Sequence, residues 1–230
     1  MRRGRKPRGV QRDAAPRPRK RLSMRVFSGE DCERIHQAAL RIMGERGLRV
    51  FDADTRDMLI RRGCRDGDGD FLRFDVDLVA SALSTVPRNL VLYDRDGAVA
   101  VDTDGDLPRF APGLNCSDIL DHRTGEHRPF TLRDISEVGR LCQRLEHIDV
   151  ASGLGYPADV EAEEEGLETV RALLETTRKP FAFIGHDEVE VGRIWELVAD
   201  RAGGMEALAE RPFAMDSTGP VSPLKISQEA

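Results

Sequence analysis

The 230-residue chain is 40% apolar and 33% charged, with a formal net charge of −6. That length holds one large domain or two small ones, and no apolar run approaches the roughly 18 residues that cross a bilayer, so a membrane-spanning protein is not expected. The charge is unevenly spread: residues 1–25 carry eleven Arg or Lys against one acid, Asp13. With −6 overall, the remainder carries about −16, which argues against a nucleic-acid-binding body.

The first segment, residues 1–23, is basic and almost free of apolar side chains, and is expected to be disordered. A nucleic-acid or anionic-lipid arm is one reading of it. A solvated tail, or an upstream start codon with Met24 as the true start, is the other. Cys32, Cys64, Cys116 and Cys142 are far apart and form no CxxC, which fits a reducing, cytoplasmic compartment.

Residues 24–106 read as a small α+β cap. A helix over 28–46 is capped by Ser28, with Asp31 three residues on, Ile35, Ala39, Ile42 and Met43 on one face and Gly47 beyond its end. A short helix over 54–62 stops at Gly63. Another over 76–86 is capped by Asp75 and turns Val76, Val79, Ala80 and Leu83 inward. "NLVLYD" and "AVAVD" form a hairpin around Arg95-Asp96-Gly97. "DGDGD" (66–70) and "DTDGD" (102–106) imitate a calcium loop but lack Gly at its sixth position, where Phe71 and Leu107 stand, so both read as turns. His122, His127 and His147 have no metal-ligand spacing.

From residue 107 the pattern changes. "RFAPG" (109–113) reads as a strand, and "ILDHRTGEHRPF" as a hairpin turning at Thr124-Gly125. Thr131 opens a helix with Asp134 at its third position and a Phe130–Ile135 staple; Leu132, Val138, Leu141, Cys142 and Leu145 complete its apolar face. Strand "IDVASG", a helix over 161–177, strand "FAFIGH", a helix over 188–201, a short helix near 205–210 and strand "FAMDS" follow. "EAEEEGLE" (161–168) reads as a solvated, dipole-matched helix start. Leu224 onward reads as the first turn of a further helix. Alternating strands and helices imply a parallel sheet, either open and doubly wound or a (β/α)₈ barrel. No G-x-G-x-x-G or P-loop stands at a strand–helix turn, which weakens a nucleotide-binding version.

"RIHQAALRIMGERGLRV", "VPRNLVLYDRDG", "HRTGEHRPFTLRDISEVGRL", "HIDVASG", "TTRKPF" and "GPVSPLKISQEA" occur in this order. Over about residues 22–230 they resemble the amino-terminal half of the trimethylamine methyltransferase (MttB-type) family, which includes pyrrolysine-containing enzymes and pyrrolysine-free glycine betaine relatives. The resemblance implies an α/β fold: the first four strands of a (β/α)₈ TIM barrel over 107–230, truncated as the fourth helix begins, behind the cap. It implies methyl transfer from a tertiary or quaternary amine to the Co(I) of a corrinoid protein, in methanogenesis or one-carbon metabolism. The corrinoid is then carried by the partner, and the chain itself binds no cofactor directly. The alternative is a non-catalytic binding or assembly fragment that pairs with a separately encoded second half. An incomplete barrel exposes strand edges at 109–113 and 213–217, so self-association is expected.

A methylammonium carbon is a poor electrophile and Co(I) a strong nucleophile, so the protein's task is positioning and electrostatics. Aromatic faces and carboxylates hold such a cation. The candidates at the strand ends are Asn115, Asp118, Tyr156, His186, Asp216 and Ser217, with Ser117, Asp187 and Thr218 beside them. The plainer reading of Asp118, Asp187 and Asp216 is as caps between strand and helix. No catalytic residue is assigned.

Overall fold

The computed structural model describes residues 25–104 and 108–226, a mixed α/β arrangement of helices and small sheets. The basic segment 1–23 lies outside the described residues, as do Gly105 to Leu107 and the expected helical turn at Ser227 to Glu229. The described residues divide into two units, with the boundary between Ala39 and Leu40.

Helix α1 (Gly29–Glu45) opens with the reciprocal cap its sequence announces: the Ser28 amide donates to the Asp31 carboxylate, and the Asp31 amide to Ser28 Oγ. It closes before Gly47, whose φ of 81° suits the left-handed region. Its covered face is rotated from expectation: Leu40 is buried and Met43 and Gly44 half-buried, whereas Ile35 and Ile42 are exposed. The cause is a backbone approach. The Phe74 amide donates to the Met43 carbonyl and brings its segment against the helix end.

Strand β1 (Leu48–Val50), helix α2 (Ala53–Arg61), strands β2 (Arg65–Asp66) and β3 (Phe71–Arg73), and helix α3 (Val76–Ser84) follow. Asp52 caps α2 by accepting from the Thr55 amide. Asp75 precedes α3 as expected but makes no cap bond, because the Arg65 guanidinium takes its carboxylate. The inward face of α3 also differs from expectation. Leu78 and Val79 are half-buried, Leu78 packing on the Val50–Cys64–Leu72 cluster, while Val76, Ala80 and Leu83 are exposed. The 66–70 segment is the β2–β3 turn; Asp66, Asp68 and Asp70 pair with Arg56, Arg73 and Arg49.

Strands β4 (Val91–Tyr93) and β5 (Val99–Asp102) form the expected hairpin around Gly97. Strands β6 (Asp118–Leu120) and β7 (His127–Pro129) form the second, around Gly125. Helix α4 (Leu132–Arg144) carries the Thr131–Asp134 capping box, and Phe130 and Ile135 share one buried cluster. After a 3₁₀ turn (Ala162–Glu164) come helix α5 (Glu165–Thr176), strand β8 (Phe181–Phe183), helices α6 (Glu188–Ala202) and α7 (Met205–Glu210), and strand β9 (Ala214–Asp216).

These later elements form a ladder of extended segments. Phe110 O accepts from the Asp149 and Val150 amides; Ala151 bridges Phe181 in parallel; β8 pairs with β9 in parallel, Phe181 opposite Ala214 and Phe183 opposite Asp216. The expected strand at 109–113 is thus an extended, irregular segment, tied in by Phe110 O and by Ser152 Oγ donating to Gly113 O. No closed barrel is present among the described residues.

Period-two alternation sorts the ladder's side chains. Ala151, Phe181, Phe183 and Ala214 face a large cluster with Leu167, Val170, Leu173, Ile194 and Val198 of α5 and α6. Val150, Ala182 and Met215 face the other way, onto Leu92 and Val101 of the β4–β5 hairpin. That hairpin is fastened at the amino ends of the strands, where the Tyr93 amide donates to Pro212 O and the Arg95 amide to Arg178 O.

Among the described residues, the helix expected to begin at Leu224 does not begin there: Lys225–Ile226 form strand β10, which pairs in parallel with β1. Leu224 sits at φ 55°, outside the right-handed helical range, and its carbonyl accepts from the Arg49 amide. The open edge of β1 supplies backbone partners to this segment.

Candidate functional site

The carboxyl ends of the ladder gather a small polar cluster. Tyr156 and His186 lie with ring centroids 5.9 Å apart at 40°. His186 Nε2 is 3.0 Å from Glu165 Oε2; a carboxylate only accepts, so the imidazole donates here. Both side chains are largely covered. Burial, and then the nearby Glu165 charge, push the Tyr156 phenol above its ordinary pKa. Leu114, Gly153, Gly155, Thr169 and Ile184 complete the walls of a cavity of about 20 Å³, room for roughly one water.

Two glycines make this closeness possible. A Cβ on Gly155 would meet Cys116 O at 2.4 Å and the Phe130 ring at 2.6 Å; one on Gly166 would meet Ile184 O at 2.7 Å and the Glu190 carboxylate at 2.9 Å. Gly155 pairs in parallel with Cys116, and the Tyr156 amide donates to Cys116 O, which fixes where the phenol emerges.

Glu190 stands behind the cluster, 2% exposed. Its Oε1 accepts from the Gly166 and Leu167 amides at 2.8 and 3.1 Å, and its Oε2 from the His186 amide at 2.9 Å. One carboxylate of α6 therefore caps the amino end of α5 and holds the loop that carries His186. Asp187 acts as the expected cap of α6, accepting from the Glu190 amide at 2.7 Å.

Of the expected residues, only Tyr156 and His186 are brought together at this cavity. Asn115 is exposed just before the Cys116–Gly155 bridge. Asp216 ends β9, and the Ser217 amide donates to Phe183 O, so both sit at the carboxyl end of the neighbouring strand. Asp216 keeps an open face, yet the protein around it partly desolvates the carboxyl and pushes its pKa up. Asp118 is not a cap between strand and helix: it begins β6 of the hairpin and accepts from Ser117 Oγ at 2.7 Å. The hairpin intervenes before α4, whose own cap is Thr131.

Sequence reasoning missed Glu165 and Glu190. Glu165 sits in an acidic run that reads as a solvated helix start; the one available signal was Gly166 inside it, a mark of close backbone approach. Glu190 follows Asp187 by three, which signals a local cap, but nothing in that spacing announces that it reaches across to α5.

Comparison with known proteins decides the family. The family described as trimethylamine methyltransferase (MTTB) matches residues 1–230. The chain belongs to this family. The trimethylamine methyltransferase MttB of Desulfitobacterium hafniense is 27% identical over 209 residues, covering 89% of this chain and 41% of that protein. Those of Methanosarcina thermophila and Methanosarcina barkeri are each 24% identical over 217 residues, covering 91% of this chain and 44% and 43% of theirs. The chain thus spans less than half the length of the curated relatives it matches. No helix among the described residues is long and apolar enough to cross a membrane.

Proposed function

We propose that this chain contributes to a methyltransferase that moves a methyl group from a tertiary or quaternary amine, of trimethylamine or glycine betaine type, to the Co(I) of a corrinoid protein. The observation that carries the reading is the family match over the whole chain. The ladder is then part of a (β/α)₈ barrel, and the rest of the relatives' length supplies what the described residues lack. A cavity of about 20 Å³ is too small for a trimethylated nitrogen, so the chain by itself is proposed to be inactive.

The chemistry assigned to these residues is binding and orientation. Tyr156 offers an aromatic face and Glu165 a carboxylate to an ammonium group, with His186 holding that carboxylate in place. Asn115, Asp118, Asp216 and Ser217 are proposed to orient polar parts of the amine or of the docked acceptor. The acceptor is a substrate delivered by the partner protein; the chain holds the amine so that one N–CH₃ bond points at it.

The test is methylation of a Co(I) corrinoid protein, followed by its visible spectrum, with trimethylamine and glycine betaine as donors. The chain is assayed alone and with a polypeptide covering the remaining length of a relative. Activity only in the mixture, weakened by His186→Ala with the fold intact, is the expected result. Robust methylation by the chain alone would overturn its proposed incompleteness. No methylation with any amine would favour the non-catalytic assembly reading.

A further inference from the structure

At the opposite end of the ladder, where β8 and β9 begin, lies a second and larger cavity. It measures about 330 Å³ and its lining includes Asp94, Arg95, Asp96, Arg178, Arg201 and Arg211, together with Phe213. Four guanidiniums against two carboxylates leave this wall with two net positive charges, in a body that is otherwise strongly acidic.

The four arginines are not equivalent. Arg95, from the β4–β5 turn, is half-buried and donates through Nη1 to the Leu174 and Thr177 carbonyls, so it answers the carboxyl end of α5. Arg178 is paired with Asp96 and also donates to Arg95 O. Asp94 is occupied as well, accepting from the Asp96 and Ala98 amides to close the hairpin turn. The guanidiniums of Arg201, at the end of α6, and Arg211, just after α7, make no ion pair or hydrogen bond among the described residues; Arg211 is tied in only by its backbone amide, which donates to Ala207 O. The Arg211 guanidinium instead lies over Gly97, within 3.0 Å of where a Cβ would stand. Like charges crowd here: burial, then Arg178 and Arg201, push the Arg95 pKa down.

We propose that this cavity binds a phosphate-bearing small molecule with at least two negative charges, held chiefly by Arg201 and Arg211. Guanidinium forks match phosphoryl oxygens two at a time, and Arg95 and Arg178 preset the positive field without being free to leave. A volume of about 330 Å³ exceeds what a single phosphate fills, so the simplest probe is inorganic pyrophosphate. The site lies at the amino ends of the strands, away from Tyr156 and His186, and does not depend on the methyl-transfer reading.

Isothermal titration of the 230-residue chain tests it, with pyrophosphate, phosphate, citrate and an acidic peptide as titrants. Pyrophosphate is expected to bind saturably with a Kd below about 1 mM at low salt, weakening as salt rises. Phosphate and citrate should each bind more weakly than pyrophosphate. Arg201→Gln and Arg211→Gln should each loosen pyrophosphate about tenfold, as loss of a charge-assisted fork predicts. The circular dichroism spectrum without ligand should stay unchanged. The milder Arg211→Lys keeps the charge, loses the fork, and should fall between. No saturation by about 10 mM, an unchanged Kd in the double variant, or citrate binding as tightly as pyrophosphate would overturn the proposal. So would binding of the acidic peptide alone, which would assign the surface to a protein partner.

Discussion

Residues 40–104 and residues 108–216 use similar apolar side chains to different effect. In the second region each strand–helix step adds to one continuous core, in which Leu173, Phe181, Ile194 and Val198 are fully covered. In the first, Val50, Cys64 and Leu72 form a small buried cluster of their own, Leu92 and Val101 are buried only against the ladder of the second region, and neither α2 nor α3 buries a residue completely. Val76, Leu83, Val86 and Leu90 lie exposed there. Arg–carboxylate pairs edge this region instead, such as Arg49–Asp70 and Arg56–Asp66. Exposed pairs of this kind contribute about 0–1 kcal/mol each. Layering long helices on paired strands makes burial cumulative, whereas helices of nine residues on strands of two or three cannot share a core in that way.

Matched truncations probe that contrast most strongly. Leu173→Ala in the large core should cost about 3–5 kcal/mol by urea denaturation, because its neighbours are close-packed on all sides. Leu72→Ala, equally buried but in a three-residue cluster, should cost about 2–3 kcal/mol, because thin surroundings relax into the space. Equal costs would show that the first region is packed as tightly as the second.

The next test concerns the polar heart of the second region. Glu190→Ala leaves the amides of Gly166, Leu167 and His186 without their acceptor. A loss of about 2–4 kcal/mol is expected from those unmet donors, with faster hydrogen exchange at the start of α5. Glu190→Gln keeps one acceptor oxygen and should lose less. If Glu190→Ala unfolds no more readily than the parent chain, the carboxylate is not what joins α5 to α6.

Much of this organisation was legible in the sequence, and the exceptions share a cause. The capping boxes at Ser28 and Thr131, the hairpins at Gly97 and Gly125 and the helix holding Trp195 are local signals, and the structure contains all of them. The face of α1, the inward face of α3, the cap at Asp75 and the strand at Lys225 depend on segments distant in sequence: Phe74, Leu72, Arg65 and β1. The site divides in the same way. Tyr156 and His186 were visible as strand-end residues, but Glu165 and Glu190 matter through contacts about twenty residues away.

A smaller, pH-dependent effect is expected at Asp134, which is 5% exposed and receives both Arg128 and the Thr131 cap. The Arg128 hydrogen bonds, set against burial, hold its carboxyl well below the usual carboxylate range. A depressed folded pKa contributes stability that is fully present above the unfolded value of about 3.9 and is lost as pH falls through the folded value. Asp134→Asn should therefore cost about 1–3 kcal/mol at pH 7. Its deficit should shrink steadily below about pH 4, as the parent carboxyl becomes protonated in the unfolded state while staying ionised in the folded one. A deficit that stays constant down to pH 2 would mean that the aspartate acts by shape and not by charge.

The smallest effect lies on α3. Leu83 is 54% exposed, on a helix with no fully buried residue. The inward face read from the sequence makes Leu83→Ser a loss of core packing, which would cost about 2 kcal/mol or more. The structure makes it an exposed substitution, expected to stay within about 0.5 kcal/mol, with helix propensity contributing only a few tenths. Urea denaturation of Leu83→Ser beside Leu78→Ser separates the two. Leu78 packs on the Leu72 cluster, so its change should be clearly destabilising while that at Leu83 is not. A large loss at Leu83 would show that the face of α3 is covered in solution, and the contrast between the two regions would narrow accordingly.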